Sequence, residues 1–321
     1  MLSYNFNNNL SNYDRFPNNV FKPVTVANGS KLFLVRFNNL YELYDFLKSE
    51  PQINDKIFSD LSSLDGSYDF AGVPYNEAVE NLIKENKDAN YQEFLRIHKG
   101  LDNCINIPIH KYKTVPTLAG GHLNIPAYSA GNPLCYETEE RIMTPKFVKA
   151  NVLLSYRCGT TKEQVFNRAI IIIILKALEK AGYNIDLNTF SLARCNDEYI
   201  HVVVKIKNYS EKLNIDSLYK TLCQVEFLRR IIFRLREITP VTDYEWAGGY
   251  GSTCGIGEVK QVLNCPDNEI FFGQPSDVGV NGYSLEDDFA RMISCVGLDD
   301  KINVREAKER FSMQVKKLIK R

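Results

Sequence analysis

The sequence lacks a net charge, because 39 lysines and arginines balance 39 aspartates and glutamates. A neutral chain has no overall field that draws nucleic acid or an anionic membrane to it, so such binding would need a local patch. Long apolar runs are also missing: the longest, Ala169 to Leu175, is far shorter than the roughly 20 residues that cross a bilayer. The N-terminus has neither the basic start nor the apolar stretch of a signal peptide. We therefore expect a cytoplasmic protein without a membrane segment.

Motifs for metal, phosphate and covalent chemistry are scarce. No CxxC pair occurs, and no two of the four histidines stand at the spacing of a zinc-ligand motif. Eight scattered cysteines in a long chain without an export signal favour reduced thiols over a disulfide framework. A zinc site built from distant residues such as Cys254 and Cys265 is the alternative left open. The sequence predicts no metal and no cofactor, and it favours a protein that is not an enzyme.

What the sequence does contain is enough apolar residues, 44% of the chain, to build a real core. Residues 1–30 are rich in asparagine and predict an irregular N-terminal arm. Residues 31–106 predict an α-rich module with one short strand, and residues 301–321 predict a C-terminal amphipathic helix. Residues 107–146 are rich in proline and glycine, which predicts an ordered linker that lies against the next domain rather than a regular element. The remaining segment, 147–300, carries the clearest pattern.

Residues 147–300 begin with a strand, Val148 to Tyr156, whose apolar end is typical of a strand covered on both faces. A tight turn and a long helix that ends at Gly182 follow. Residues 183–193 and 198–206 then predict two strands joined as a hairpin. This order of elements predicts a three-layer α/β domain with a mostly parallel sheet, one antiparallel edge strand and helices on both faces.

From Asn151 onward, the strand, turn, helix and edge hairpin resemble the von Willebrand factor A fold, a Rossmann-like arrangement. Many domains of that fold bind a hard divalent ion through an Asp-x-Ser-x-Ser motif after the first strand. The corresponding positions here are Leu153, Ser155 and Arg157. Leu153 offers no oxygen and Arg157 places a cation where the ion would lie, so the resemblance implies the fold without the metal.

The chain also resembles uncharacterised proteins of tailed bacteriophages, over roughly residues 65 to 300. The resemblance implies a phage or prophage origin, and therefore the cytoplasm of a host cell, but it implies no activity. The residues that carry it are Tyr75 to Leu82, Gly131-Asn132-Pro133, Ser155-Tyr156 with Gly159-Thr160, and Gly248 to Gly251.

The first candidate site is the turn after the first strand of the α/β domain, because sheets of this kind bind ligands at the carboxyl ends of their strands. Backbone amides at the start of the following helix, together with polar side chains, could hold a phosphate or a carboxylate. Helix capping alone would explain the same residue types. The residues of this site are Ser155, Arg157, Gly159, Thr160 and Thr161.

Two further segments are candidate binding sites. Tyr250 and Gly251 lie in a glycine-rich run that predicts either an ordered surface loop or a contact surface for a protein or nucleic acid. Arg229, Arg230 and Arg234 recur at helical spacing and predict a basic helix face that could meet phosphates. Ordinary amphipathic packing with solvated arginines is the alternative.

Three classes of function follow from these patterns. The first is a non-enzymatic protein-interaction module, encoded by a phage or prophage, which binds its partner through the strand-end loops. The alternative is RNA or DNA binding through the basic helix face, and the third is an enzyme with a non-standard site. The sequence leaves the partner and the oligomeric state open.

Overall fold

The computed structural model describes residues 22–26, 29–49, 72–102, 104, 112–141, 146–154, 161–239, 241, 252–264, 269–272 and 303–319. The strands are β1 (Lys22–Thr25), β2 (Lys31–Phe37), β3 (Tyr112–Thr117), β4 (His122–Leu123), β5 (Tyr136–Arg141), β6 (Lys146–Leu153), β7 (Tyr183–Cys195), β8 (Glu198–Lys207), β9 (Ser252–Thr253) and β10 (Glu269–Phe272). The α-helices are α1 (Leu40–Ser49), α2 (Tyr75–Asn81), α3 (Ala89–Leu101), α4 (Ile125–Ser129), α5 (Thr161–Lys180), α6 (Ile215–Leu218), α7 (Phe233–Glu237), α8 (Ile256–Leu263) and α9 (Val304–Ile319). Two π-helical segments, Tyr219–Cys223 and Phe227–Ile232, lie between α6 and α7.

The main sheet is mixed and has seven strands. Six of them lie in the order β1-β2-β8-β7-β6-β10, and the seventh, β9, pairs with the C-terminal end of β7. β6 runs parallel to both β7 and β10, and β2 runs parallel to β8. The β7–β8 and β1–β2 pairs are antiparallel. The predicted crossover from β6 through α5 to β7 is therefore confirmed, and so is the predicted hairpin of β7 and β8.

The predicted antiparallel edge strand is wrong, because β8 lies inside the sheet. β2 pairs with β8 along all seven of its residues, from Lys31 opposite Glu198 to Phe37 opposite Val204. β2 can take this place because its alternate residues Phe33, Val35 and Phe37 are buried on the face that also carries the core residues of β8. The sheet thus crosses the predicted boundary between the α-rich module and the α/β domain.

The larger core lies on one face of the sheet and centres on α5. Residues 169–175 of this helix are at most 1% exposed, which explains why its apolar run shows no amphipathic period. Burying each isoleucine contributes roughly 1.5–3 kcal/mol, whereas its lower helix propensity costs only a few tenths. Helices α1, α2 and α3, both π-helical segments and α9 add side chains to the same core.

The other face of the sheet carries a smaller apolar cluster, in which α8 contributes Val259 beside Phe190, Leu192 and Phe271. Helices therefore cover both faces, as the sequence predicted. Among the described residues, no helix is both long and apolar enough to cross a membrane.

A separate three-stranded antiparallel sheet, in the order β3-β5-β4, occupies residues 112–141, which we call the finger. The predicted irregular, docked linker is wrong for this part of the chain. Pro116 fits into β3 because β3 is an edge strand, whose outward N–H is not needed for pairing. Leu118, Ile125 and Tyr128 are 63–70% exposed, so they do not pack against the rest of the protein.

Candidate functional site

Two of the sites predicted from the sequence lie mostly outside the described residues. Thr161 is the first residue of α5, and the structure describes its backbone position only. These predictions stay predictions. The predicted site residues outside the described part are Ser155, Arg157, Gly159, Thr160, Tyr250 and Gly251.

The predicted basic helix face is wrong for the arginines that the structure describes. Arg229, Arg230 and Arg234 are only 6%, 2% and 4% exposed, so they are not solvated. Their burial follows from the apolar residues on every side of the segment, and Arg230 Nε donates a hydrogen bond to the Val73 carbonyl at 2.6 Å. The apolar neighbours that are buried with these arginines are Phe227, Leu228, Ile231, Ile232 and Leu235.

Two more buried arginines bind near the carboxyl ends of β7 and of β6, the strand from which the predicted turn departs. Arg168 Nη1 donates to the carbonyl of Leu153, the last residue of β6, at 3.1 Å. Arg236 donates to the hydroxyl of Ser191 in β7. Desolvation lowers the pKa of Arg236 to about 10, so its guanidinium is still charged at neutral pH. These contacts give both arginines a structural role at the carboxyl ends of β6 and β7.

The π-helical segments place one acidic group in an unusual setting. Gln224 is extended between the two segments, and Glu226 follows it at the start of the second. Desolvation raises the pKa of Glu226 to about 7, with a smaller contribution from the nearby carboxylates of Asp88 and Glu77. Gly72 packs directly on this carboxyl group, since a Cβ atom on Gly72 would lie 2.7 Å from Glu226 Oε2. π-Helical turns are rare and often mark functional or strained places, but they leave no signal in the sequence.

A polar ladder crosses three parallel strands on the face of the sheet that carries the smaller apolar cluster. Asn188 Nδ2 donates to Asn151 Oδ1 at 3.1 Å, and Asn151 Nδ2 donates to Glu269 Oε2 at 2.8 Å. Lys149 completes the ladder with an ion pair of 2.8 Å to Glu269. Because these groups bond to one another across β7, β6 and β10, the ladder fixes the register of the strands.

The described ionisable groups include one histidine with a strongly lowered pKa and several buried cysteines. Desolvation of the ring, with the nearby charges of Lys149 and Arg36, lowers the pKa of His201 to about 4, so the imidazole is neutral at pH 7. Within the described parts of the chain, no three histidine, cysteine, aspartate or glutamate side chains come together as a metal site would require. The described cysteines are buried and form no disulfide with one another; they are Cys104, Cys135, Cys195, Cys223 and Cys254.

The end of the finger is the most unusual surface that the structure describes. Its twenty residues 117–136, which we call the tip, contain no lysine, arginine, aspartate or glutamate, although 24% of the whole chain is charged. Large apolar side chains are exposed all over the tip, in the loop after β3, in β4, in α4 and in the turn before β5. These residues are Leu118 (70% exposed), Leu123 (44%), Ile125 (67%), Tyr128 (63%) and Leu134 (43%).

Asn124 holds the tip in one conformation. Its side-chain oxygen caps α4 by accepting a hydrogen bond from the Ala127 amide at 3.0 Å, and its amide group donates to Glu137 Oε1. Its backbone N–H donates to the Cys135 carbonyl at 2.7 Å. One asparagine therefore ties β4, α4 and β5 together.

Gly121 allows β4 to approach β5 closely. Its φ is +72°, and a Cβ atom at this position would lie 1.9 Å from the Glu137 carbonyl oxygen. Only glycine fits both the backbone angle and the space. The sequence contains a signal for this surface, namely the charge-free run with its glycine pair, whereas the prolines and glycines of the same segment predict irregular structure.

Residues 17–270 match the family described as Domain of unknown function (DUF7192). The match spans well over half of the chain. The chain belongs to this family. In this DUF7192 protein the matched range includes the finger and every strand from β1 to β9, and it ends within β10. Comparison with curated proteins and with solved structures found no match.

Proposed function

We propose that this protein is a non-enzymatic protein-interaction module that binds a partner protein through the tip of the finger. The single observation that carries the proposal is the exposure of five large apolar side chains within a tip of twenty residues that has no charged residue. Scattered apolar side chains are normal on a protein surface, but a contiguous patch of them typically marks an interaction site. The cores of protein interfaces are likewise depleted in charge.

The internal contacts of the tip support the same proposal. The cap that Asn124 forms and the close approach at Gly121 both constrain its backbone. A fixed backbone lowers the entropy cost of association, so more of the apolar contact contributes to affinity. Tyr128 offers a rigid aromatic side chain of the kind that often dominates interface energies.

The competing functions have weaker support. Nucleic-acid binding depends on cations near phosphates, whereas the tip has none and the described arginines of residues 229–236 are buried. An enzyme would need a site where polar groups converge on a substrate. The side chains of the polar ladder instead bond to one another across the strands. The proposal also includes a phage or prophage origin and a von Willebrand A-like character of the α/β domain. It further includes a second contact with the partner, through the loops at the strand ends.

Binding by the tip is testable with matched surface variants. Purified full-length protein is incubated with extract of the cells that produce it, and bound proteins are identified by mass spectrometry. We expect a discrete protein to be retained by the unchanged chain and lost from an Ile125→Asp, Tyr128→Asp variant. The control is Tyr41→Asp, since Tyr41 on α1 is 68% exposed, as Ile125 is at 67%. If the tip variant retains the same proteins as the control, or if nothing binds the unchanged chain, the proposal is wrong.

A further inference from the structure

We infer that the partner surface that receives the tip is an apolar cleft with a cationic rim on a different protein. This inference depends on the proposed function and adds the shape and the charge of the partner. It follows from how the apolar side chains are arranged on the tip and from the acidic residues directly beneath it.

The arrangement of the tip indicates a protruding shape. β3 and β5 pair up to Thr117 and Tyr136, and residues 118–135 connect the two strands at this end, with β4 paired beside the start of β5. Exposed apolar side chains come from both sides of this end, from Leu118 after β3 and from Leu134 before β5. A protrusion buries its surface well only in a concave partner, because tight interfaces require complementary shapes.

This shape argues against a symmetric contact between two copies of the chain. In a two-fold dimer the same patch of both subunits meets itself. Two protruding tips would touch over a small area and leave gaps, whereas a specific interface buries roughly 800 Å² on each partner. A second copy is therefore a contradicting outcome of the test below.

The charge of the partner follows from one face of the finger below the tip. Glu137 lies opposite Pro116 and His122, and Glu139 lies opposite Thr114, so neither glutamate has a lysine or arginine directly across the ladder. Glu137 also accepts a hydrogen bond from Asn124, and Arg141, the next residue of β5 on this face, lies farther from the tip. Glu139 is exposed. Lysines or arginines on the rim of the cleft would meet this acidic face once the tip is inserted, which would increase the association rate and fix the orientation.

The same acidic face disfavours a lipid surface as the occupant. Cell membranes that carry anionic lipids attract basic segments and repel acidic ones. If the tip entered such a membrane, the glutamates next to it would therefore approach lipid headgroups of the same charge. A protein cleft can place cations at that depth, and an anionic bilayer cannot.

Site-specific photocrosslinking tests this inference in the full-length chain. The photoreactive amino acid p-benzoylphenylalanine replaces Tyr128 in the tip or, as a control, Tyr41 on α1, in the cells that produce the protein. Crosslinked peptides are then mapped by mass spectrometry. We expect the probe at 128, and not at 41, to react with one protein, at an apolar segment whose neighbours in that protein include several lysines or arginines.

Charge variants supply the second readout. We expect Glu139→Lys to lower the yield of the crosslink at 128 about three- to tenfold, because a rim charge changes the association rate. Glu309→Lys serves as the control, since Glu309 on α9 is exposed and, among the described residues, pairs only with Arg305 at the surface. A crosslink to a heterologous protein with equal yields in both variants would reject the cationic rim but leave the proposed function standing.

The remaining outcomes separate the two proposals. A crosslink from position 128 to a second copy of this chain would overturn the inference of a different protein with a cleft. A crosslink to phospholipid, or the absence of any adduct specific to position 128, would overturn both the inference and the proposed function.

Discussion

Replacing Gly121 with alanine perturbs the finger at its tightest point. The added Cβ would lie 1.9 Å from the Glu137 carbonyl oxygen, and the backbone there has a φ of +72°. Gly131 offers a matched control, because its φ is +71° but a Cβ atom would meet nothing within 4 Å. The two alanine variants therefore share the backbone strain and differ in the clash.

The size of the effect follows from these two terms. A left-handed backbone costs an alanine roughly 1–2 kcal/mol relative to glycine, and we expect Gly131→Ala to show no more than this. In Gly121→Ala the contact is between Cβ and backbone, so no side-chain rotation can relieve it. β4 must move away from β5, which breaks the pairing of His122 with Glu137 and of Leu123 with Tyr136. We expect a further loss of roughly 2 kcal/mol or more, as is typical of backbone shifts forced by overpacking.

Hydrogen exchange measures this loss locally. Small units of a protein can open without global unfolding, so we expect the amides of the finger to report its own stability. We expect Gly121→Ala to lose protection at the amides of residues 122–137, whereas amides of β7 and β8 stay protected in both variants. Equal protection of the finger in the two alanine variants would refute the account of how the tip is built.

Three further predictions concern the main body. Glu226 should make the free energy of unfolding, measured in urea, depend on pH. Its pKa is raised to about 7 in the folded protein, so the folded state binds the proton more tightly than the unfolded state does. The stabilisation that results should be lost as the pH rises from about 4.5 to about 7. Glu226→Gln should flatten this part of the profile, and an unchanged slope would contradict it. Ile172→Ala should cost roughly 2–5 kcal/mol in the same assay, because Ile172 is fully buried, whereas Met313→Ala, at a side chain that is 56% exposed, should cost less than about 0.5 kcal/mol. Iodoacetamide followed by mass spectrometry should label Cys104 and Cys254 only after denaturation, since desolvation raises their pKa to about 11 and about 12; rapid labelling of the folded protein would show that these thiols are accessible.

The candidate site shows what a pattern of residue types can and cannot indicate. The run of twenty residues without charge is visible in the sequence, but whether it is buried or exposed depends on the rest of the molecule. The arginines of residues 229–236 show the reverse case. An arginine has a long apolar stem and a charged end, so the same helical spacing suits a solvated face or a buried one, and only the neighbours decide.

Local pattern alone determined the crossover from β6 through α5 to β7, the β7–β8 hairpin and the C-terminal helix α9. Each depends on residues close together in the chain, whose apolar period, caps and turns are readable in order. Tertiary structure alone decided that β2 lies beside β8, that the segment after α6 is π-helical and that the tip is exposed. The physical reason is that a strand's alternation shows that it must pair and bury one face, but the pairing partner is a distant strand with the same alternation.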